Sequence, residues 1–173
     1  VESYVVLRNF SITASTTTSG NAIVLVNGDG ALISRIRTTL HRDGIDAGAV
    51  SRAIIEDCIV DSTDGNTAGV GITIGADGIV RWCKSAAATG NAFLASGARA
   101  KIIGCEVGAT ATGISMTAAN GIISDCRVTG NTTTAVSAGA ANLRVAGCTI
   151  TGTSTTGITT SSADVAIKDC TIS

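Results

Sequence analysis

Residues 121–150 read GIISDCRVTGNTTTAVSAGAANLRVAGCTI, a stretch that contains one complete repeat of a pattern found along the whole chain. In each repeat an aliphatic residue precedes a cysteine by three positions, and in most repeats an apolar residue follows the cysteine by two. Successive cysteines are separated by 25, 22, 21, 22 and 22 residues: Cys58, Cys83, Cys105, Cys126, Cys148 and Cys170. A repeat of this length cannot bury its own apolar face, so neighbouring repeats must stack.

Each repeat carries three short apolar segments, which predicts three strands per repeat. Aliphatic residues lie three positions before the cysteine slot, a slot that Phe10 and Ile36 occupy in the first two repeats: Leu7, Ile33, Ile55, Val80, Ile102, Ile123, Val145 and Ile167. Further along each repeat, Gly or Ala precedes another apolar residue: Ile23, Ile45, Ile72, Phe93, Ile114, Val136 and Ile158. β-Branched residues favour strands. We therefore expect residues 1–173 to form one all-β domain, a single-stranded right-handed parallel β-helix of about seven coils.

The residue just before the cysteine slot indicates how the first strand of a coil turns into the second. Six of the eight repeats have Asn, Asp or Gly here: Asn9, Asp57, Gly104, Asp125, Gly147 and Asp169. These residue types tolerate positive φ most readily, and one left-handed residue bends the chain while both flanking side chains stay inside. Arg35 and Trp82 depart from this rule, so we expect their two coils to be locally irregular.

Six evenly spaced cysteines could indicate disulfides or a zinc site, but the geometry of stacked coils argues against both. Equivalent side chains in successive coils point the same way at roughly 4.8 Å, whereas disulfide-bonded Cβ atoms lie about 3.8 Å apart. A zinc site needs ligands on a tetrahedron, which a straight file does not offer. We therefore expect a buried file of free thiols, with no metal site and no cofactor.

The composition argues against several classes of partner. The formal net charge of the 173 residues is −1, so neither the charge nor its distribution indicates nucleic-acid binding. No apolar run approaches the length of about 18 residues that a membrane helix requires, and we expect no membrane partner. Because the chain begins and ends inside coils, we expect it to be a fragment of a longer protein.

The repeats resemble the coils of the pectin-lyase-like β-helix superfamily, which includes pectic enzymes, polysaccharide epimerases and phage tailspikes. The resemblance covers essentially the whole chain and rests on the segments IIEDCIV, GIISDCRV, VAGCTI and AIKDCTIS, together with TGI and TAV segments. It implies the β-helix fold but does not select one activity, because the superfamily hosts several chemistries.

One charged segment offers candidate catalytic residues. The segment HRDGID, residues 41–46, holds the only histidine of the chain, and the next coil adds two aspartates. If stacking brings these carboxylates into one groove, they could act as acid and base on a sugar or bind a cation. The candidate catalytic residues are His41, Asp43, Asp46 and Asp64, with Asp61 as an alternative partner and Arg42 as the residue that binds an acidic sugar. An exposed turn histidine without a catalytic role is the alternative for His41.

The segment RDGID is also similar to the NTDGxD coil of the polygalacturonase-type glycoside hydrolases. This resemblance implies that Asp43 is one catalytic carboxylate. The rest of the family pattern is missing, because Gly69 and Val70 stand where an Asp-Asp pair is expected and the family's GHG motif has no counterpart. Arg99 and Lys101 match the family's Arg-x-Lys pair, but on another strand.

A second candidate site surrounds Trp82, whose ring should face outwards at the bend. Charged residues of the same coil and of the preceding coil should lie around it: Arg81, Lys84, Glu56 and Asp57. An aromatic face with flanking charges can stack against a sugar ring and hydrogen-bond to its hydroxyl groups. The alternative is that Trp82 covers a local packing defect or forms an oligomer contact.

An outward position on the first strand is aliphatic in four successive coils: Val6, Leu32, Ile54 and Ile79. Such an apolar stripe usually marks an interface. We therefore expect a homo-oligomer, with a trimer favoured, and cover by a helix from outside this sequence is the alternative.

These features favour a non-catalytic function outside the cell or on a virion surface. The expected protein is a β-helical shaft, or a polysaccharide- or receptor-contact segment, of a phage tailspike-like or cell-surface protein. One alternative is a polysaccharide-active enzyme of the pectin-lyase-like class, either a glycoside hydrolase, a lyase or an epimerase. The other is a purely structural filament or decoration subunit, so the sequence leaves open whether the chain is an enzyme.

Overall fold

Short strands dominate the described part of the protein in the computed structural model. The described residues are 4–13, 20–39, 41–61, 69–86, 90–108, 111–130, 133–152 and 155–173. In chain order the strands are β1 Val5–Thr13, β2 Asn21–Val24, β3 Gly28–Thr39, β4 Asp43–Ala47, β5 Val50–Glu56, β6 Ile59–Asp61, β7 Ile72–Ile74, β8 Ile79–Arg81, β9 Lys84–Ser85, β10 Asn91–Ala95, β11 Lys101–Ile103, β12 Glu106–Val107, β13 Thr112–Met116, β14 Ile122–Ser124, β15 Arg127–Thr129, β16 Thr134–Ala138, β17 Arg144–Ala146, β18 Thr149–Thr151, β19 Thr156–Thr160, β20 Ala166–Lys168 and β21 Thr171–Ile172. These described segments contain no helix that is long and apolar enough to cross a membrane.

The strands stack into three faces, and the chain visits each face once per coil. Face 1 consists of the first halves of β1 and β3, then β5, β8, β11, β14, β17 and β20. Face 2 consists of the second halves of β1 and β3, then β6, β9, β12, β15, β18 and β21. Face 3 is the seven-stranded sheet of β2, β4, β7, β10, β13, β16 and β19. The strands pair in parallel from one coil to the next, which confirms the predicted β-helix of about seven coils.

Files of inward side chains fill the space between the faces. The predicted aliphatic residues pair in register on face 1 from Leu7 to Ile167, and those of face 3 pair from Ile23 to Ile158. Most of these side chains are fully buried, as predicted. The prediction was wrong in the outermost described coils, where no further coil covers the inward slots: Ile167 is 48% exposed and Phe10 is 37% exposed.

A close approach between faces explains why Gly or Ala precedes each inward residue of face 3. A Cβ atom at Gly44 would lie 2.3 Å from Val60 Cγ1, and one at Gly71 would lie 2.1 Å from Ser85 Oγ. Ala92 occupies the equivalent position in the next coil and is fully buried. Larger side chains would therefore collide with face 2 at this corner.

All eight residues just before the cysteine slot adopt a left-handed conformation, and we refer to them as the bend column. Their φ angles lie between 52° and 63°: Asn9, Arg35, Asp57, Trp82, Gly104, Asp125, Gly147 and Asp169. The expected irregularity at Arg35 and Trp82 is wrong, because their φ angles of 52° and 54° match those of the other coils. The stacked backbone imposes this conformation, and the side chain has to accept its cost of roughly 1–2 kcal/mol.

A second left-handed column lies where face 3 turns back into face 1, and the sequence pattern did not reveal it. Its non-glycine members have φ between 56° and 64°: Arg52, Asp77, Arg99, Asn120, Asn142 and Asp164. Charged members form ion pairs across coils, since Arg99 donates two hydrogen bonds of 2.6 Å to Asp77 and Arg52 pairs with Asp29. These pairs run along one edge of face 1.

The six cysteines form the predicted file of free thiols. Each thiol donates to the backbone carbonyl two residues earlier, at 3.2–3.4 Å, so cysteine adds a weak hydrogen bond that an aliphatic side chain could not make. The hydrogen bond to the Cys105 thiol, together with burial, raises the pKa of Cys126 to about 12. The thiols inside the core therefore behave as small apolar groups with one weak donor.

Candidate functional site

The bend column and the adjacent outward column of face 2 form a surface with two columns at one corner of the β-helix. In four successive coils the paired residues are Asn9 and Ser11, Arg35 and Arg37, Asp57 and Ile59, and Trp82 and Lys84. We call these eight residues the corner site. Because coils are spaced by roughly 4.8 Å, the corner site extends about 14 Å along the helix axis.

Trp82 is the largest exposed side chain of the corner site, with 58% of its surface accessible. The guanidinium carbon of Arg81 lies 4.7 Å from the centroid of the Trp82 ring, which is a cation–π contact. Arg81 also donates two hydrogen bonds to Glu56 Oε2 in the preceding coil, at 2.6 and 3.0 Å. The ring also lies against Gly104 of the following coil, where a Cβ atom would be 3.0 Å from Trp82 Cδ1. These contacts position the ring and leave part of it open to solvent.

A groove of about 280 Å³ lies beside Arg35 and Arg37. Its lining consists of Asn9, Phe10, Ser11, Arg35, Ile36, Arg37, Asp57 and Ile59. Asp57 is the one carboxylate in this lining, against two guanidinium groups. Within the described part of the chain, neither Arg35 nor Arg37 forms an ion pair. Sequence reasoning missed both arginines, although an arginine at a position that usually holds Asn, Asp or Gly was a signal.

A second groove of about 260 Å³ continues from the first and shares Arg37 and Ile59 with it. Lys84 and Asp61 complete its charged lining. Lys84 also forms an exposed ion pair with Glu106, at 3.2 Å. Exposed ion pairs contribute little to stability, so Lys84 can exchange this partner for a ligand.

Asp43 and Asp46, two of the predicted catalytic residues, lie on β4 of face 3, away from the bend column. Asp43 Oδ1 accepts a hydrogen bond of 2.8 Å from the backbone N–H of Val70, and Asp43 Oδ2 accepts two from Arg42. Asp46 Oδ1 accepts a hydrogen bond of 3.0 Å from the backbone N–H of Gly48, which closes a local turn. Both carboxylates therefore have backbone partners.

The candidate carboxylates are distributed over two faces. Asp43 and Asp46 lie on β4 of face 3, whereas Asp61 lies on β6 of face 2, and Asp64 lies outside the described residues. Among the residues that the structure describes, no three His, Cys, Asp or Glu side chains stand close enough to hold a metal ion. His41 is partly buried rather than exposed, and its Nε2 atom has no hydrogen-bond partner among the described residues.

Comparison with known protein families gives a match over more than half of the chain. The matching family is described as right handed beta helix region, and its model covers residues 71–173. The chain belongs to this right-handed β-helix family. No curated protein and no solved structure matches the chain significantly.

Membership of the right-handed β-helix family confirms the fold and the hand that the repeats predict. It does not separate pectin-lyase-like enzymes or tailspikes from other right-handed β-helix proteins. Six of the eight corner-site residues precede residue 71, so most of the corner site lies outside the matched range. The fold alone therefore does not determine the function of this β-helix protein, which depends on the side chains of the site.

Proposed function

We propose that this right-handed β-helix protein is a non-catalytic segment of a phage tailspike-like or cell-surface protein that contacts polysaccharide through the corner site. The observation that carries the proposal is the exposed Trp82 ring, positioned by Arg81 at 4.7 Å. An aromatic face can stack on a sugar ring, and the neighbouring Lys84 and Asp57 side chains offer hydrogen bonds to its hydroxyl groups. The proposed location is extracellular or on a virion surface.

The contacts of Asp43 support a structural role for this carboxylate. A general acid or base must exchange a proton with the substrate, whereas both oxygens of the Asp43 carboxylate already accept hydrogen bonds from Val70 and Arg42. Arg42 also contacts Asn21 Oδ1 of the preceding coil, at 3.4 Å. These contacts link neighbouring coils and support the non-catalytic proposal.

The proposal includes self-association along face 1, with a trimer as the expected assembly. The aliphatic stripe pairs in register as predicted: Val6, Leu32, Ile54 and Ile79. Val6 is 50% exposed, and the other three side chains are half-buried. The Arg52–Asp29 ion pair flanks one side of the stripe and the Arg81–Glu56 pair flanks the other. An apolar centre with a charged rim is typical of a protein interface.

Incubation of the chain with a panel of bacterial and plant polysaccharides tests the polysaccharide contact. We expect retarded migration in affinity electrophoresis and no release of shorter products. Trp82→Ala should weaken binding by about tenfold or more, because the stacking surface is lost. Tyr4→Ala is the matched control, since Tyr4 is 57% exposed but lies outside the corner site.

Two results would overturn this proposal. Binding that survives Trp82→Ala unchanged would remove the corner site from the contact. Release of products that disappears in Asp43→Asn, in a variant that remains folded, would establish the enzyme instead.

A further inference from the structure

We infer that the groove beside Arg35 and Arg37 binds an acidic substituent of the polysaccharide, a carboxylate or a sulfate group. This inference rests on the proposed polysaccharide contact and adds the chemical class of the ligand. It depends on the charge, the apolar lining and the position of this groove within the corner site.

The charge of the groove is unbalanced. Arg35 and Arg37 are two residues apart on β3, both are exposed, and both line the groove. Four other arginines each pair with a carboxylate: Arg42, Arg52, Arg81 and Arg99. Arg35 and Arg37 have no such pair in the described segments, nor do Arg8, Arg127 and Arg144, but Arg35 and Arg37 line one groove together and Asp57 is the one carboxylate in that lining. Two arginines in one groove lining suit an oxyanion, which a guanidinium group can bind through two parallel hydrogen bonds.

The apolar lining of the groove favours a sugar over a free inorganic anion. Phe10 and Ile59 are 37% and 40% exposed, and both line the groove together with Ile36. A small inorganic anion gains nothing from this surface. A sugar ring has an apolar face that can cover it while an acidic substituent of the ring reaches the arginines.

The spacing of the corner site allows a single chain to use both contacts. Arg35 and Trp82 belong to the same bend column and are separated by two coil spacings, roughly 10 Å. This distance is longer than the part of a ligand that one sugar ring stacked on Trp82 would occupy. One sugar ring can therefore lie on Trp82 while another ring of the same ligand presents its acidic group to Arg35 and Arg37. The expected ligand is therefore an acidic oligosaccharide that runs along the helix axis.

Titration calorimetry with three matched oligosaccharides tests the inference: a neutral one, its uronic acid counterpart and its sulfate ester. We expect one acidic form to bind at least tenfold more tightly than the neutral form, and the form preferred identifies the acidic group. Arg35→Gln and Arg37→Gln should each lower the affinity for the acidic form by about tenfold and lower the affinity for the neutral form by clearly less. The preference should shrink as the salt concentration rises.

Arg127→Gln is the matched control, because Arg127 lies in the same outward column of face 2, four coils beyond Arg37, and is exposed. Equal affinity for neutral and acidic forms would overturn the inference while leaving the Trp82 contact intact. A loss in Arg127→Gln as large as that in Arg35→Gln would also overturn it, because only overall charge would then matter. If none of the three forms binds, the proposed polysaccharide contact itself fails.

Discussion

Each bend residue accepts a backbone conformation that only glycine adopts without steric cost. Arg35 and Trp82 have φ of 52° and 54°, and the Trp82 N–H donates to Ile103 O of the next coil at 3.1 Å as the Asp57 N–H donates to Arg81 O at 3.2 Å. A β-carbon in this region costs roughly 1–2 kcal/mol. A bulky residue at such a position is therefore a candidate for a role other than folding, which is the case we make for Arg35 and Trp82.

Replacement of Arg35 by Gly should leave the free energy of unfolding unchanged or raise it by up to about 1 kcal/mol. The relief of the left-handed strain exceeds, or roughly equals, the extra chain entropy of glycine in the unfolded state. Arg37→Gly is the matched control, because Arg37 lies two residues away in regular strand, and it should cost about 0.5–1 kcal/mol. Urea unfolding of both variants measures this difference, and a clear loss in Arg35→Gly alone would contradict our account of the bend.

At the residue scale, the sequence predicted the bend where residue type and conformation agree, as at Asp57 and Asp125. It failed at Arg35 and Trp82, because the stacked coils on both sides overrode the local preference of the residue. For the same reason the sequence did not predict the second left-handed column, in which Arg52 and Arg99 adopt a backbone conformation that arginine disfavours.

The inward strand positions carry most of the packing, and Ile123 is typical of them. Its side chain is fully buried between those of Ile102 and Val145. Ile123→Ala should lower the free energy of unfolding by roughly 2–5 kcal/mol, through lost apolar transfer and the cavity left behind. Ile122→Ala, at the adjacent outward position, should cost clearly less. Equal losses in denaturant unfolding of the two variants would show that the inward and outward assignments are wrong.

The cysteine file should respond to alkali. The hydrogen bond to Cys105 and burial raise the pKa of Cys126 from 9.0 to about 12, while the same hydrogen bond lowers the pKa of Cys105, so the folded state holds the Cys126 proton more tightly and the Cys105 proton less tightly. The contribution of the protonated Cys126 thiol to the free energy of unfolding is therefore complete below pH 9 and is lost as the pH rises from 9 towards 12. Urea unfolding between pH 8 and pH 11 should show a falling stability, with a shallower fall in Cys126→Ala.

Alkylation gives a second measurement of the same file. Native protein should react first at Cys170, the one thiol that is not fully buried, and the unfolded chain should be labelled at all six cysteines without reductant. A protected pair after unfolding would reveal a disulfide and contradict the free-thiol file.

At the element scale, register could be read directly from the cysteine spacing, because every coil repeats the same inward slots. The bend itself was also predictable, since Asn, Asp and Gly mark it in six coils. The close approach of Gly44 to Val60 was not, because it depends on how near two faces come at a corner rather than on a pattern within one strand.

Self-association is a property of the whole molecule, and light scattering at micromolar concentration tests it. We expect an oligomer, with a trimer favoured, that dissociates in a variant carrying Ile54→Asp and Ile79→Asp. Both side chains are half-buried and outward on face 1, so the coils should stay folded. Ile122→Asp is the control, because Ile122 lies in the same outward column of face 1, two coils beyond Ile79. A monomeric native chain would reject the interface.

The candidate site also belongs to the whole-molecule scale. Sequence reasoning identified Trp82 and its charged neighbours, because aromatic residues are rare in this chain. It could not identify the groove beside Arg35, since its lining comes from three coils and its opening depends on their stacking. It also grouped Asp61 with the aspartates of HRDGID, although β4 belongs to face 3 and β6 to face 2.

The uniform backbone of the bend column has one further consequence. The same conformation recurs with asparagine, arginine, aspartate, tryptophan and glycine side chains, so this column can change its chemistry without changing its shape. Substitutions in the bend column, natural or engineered, could therefore change which ligand group each coil contacts, with one contact per coil at a fixed interval. An arginine in place of Asp125, two residues before Arg127 as Arg35 is before Arg37, would place an acidic-group contact four coils beyond Arg35, roughly 19 Å, and the β-helix would act as a molecular ruler.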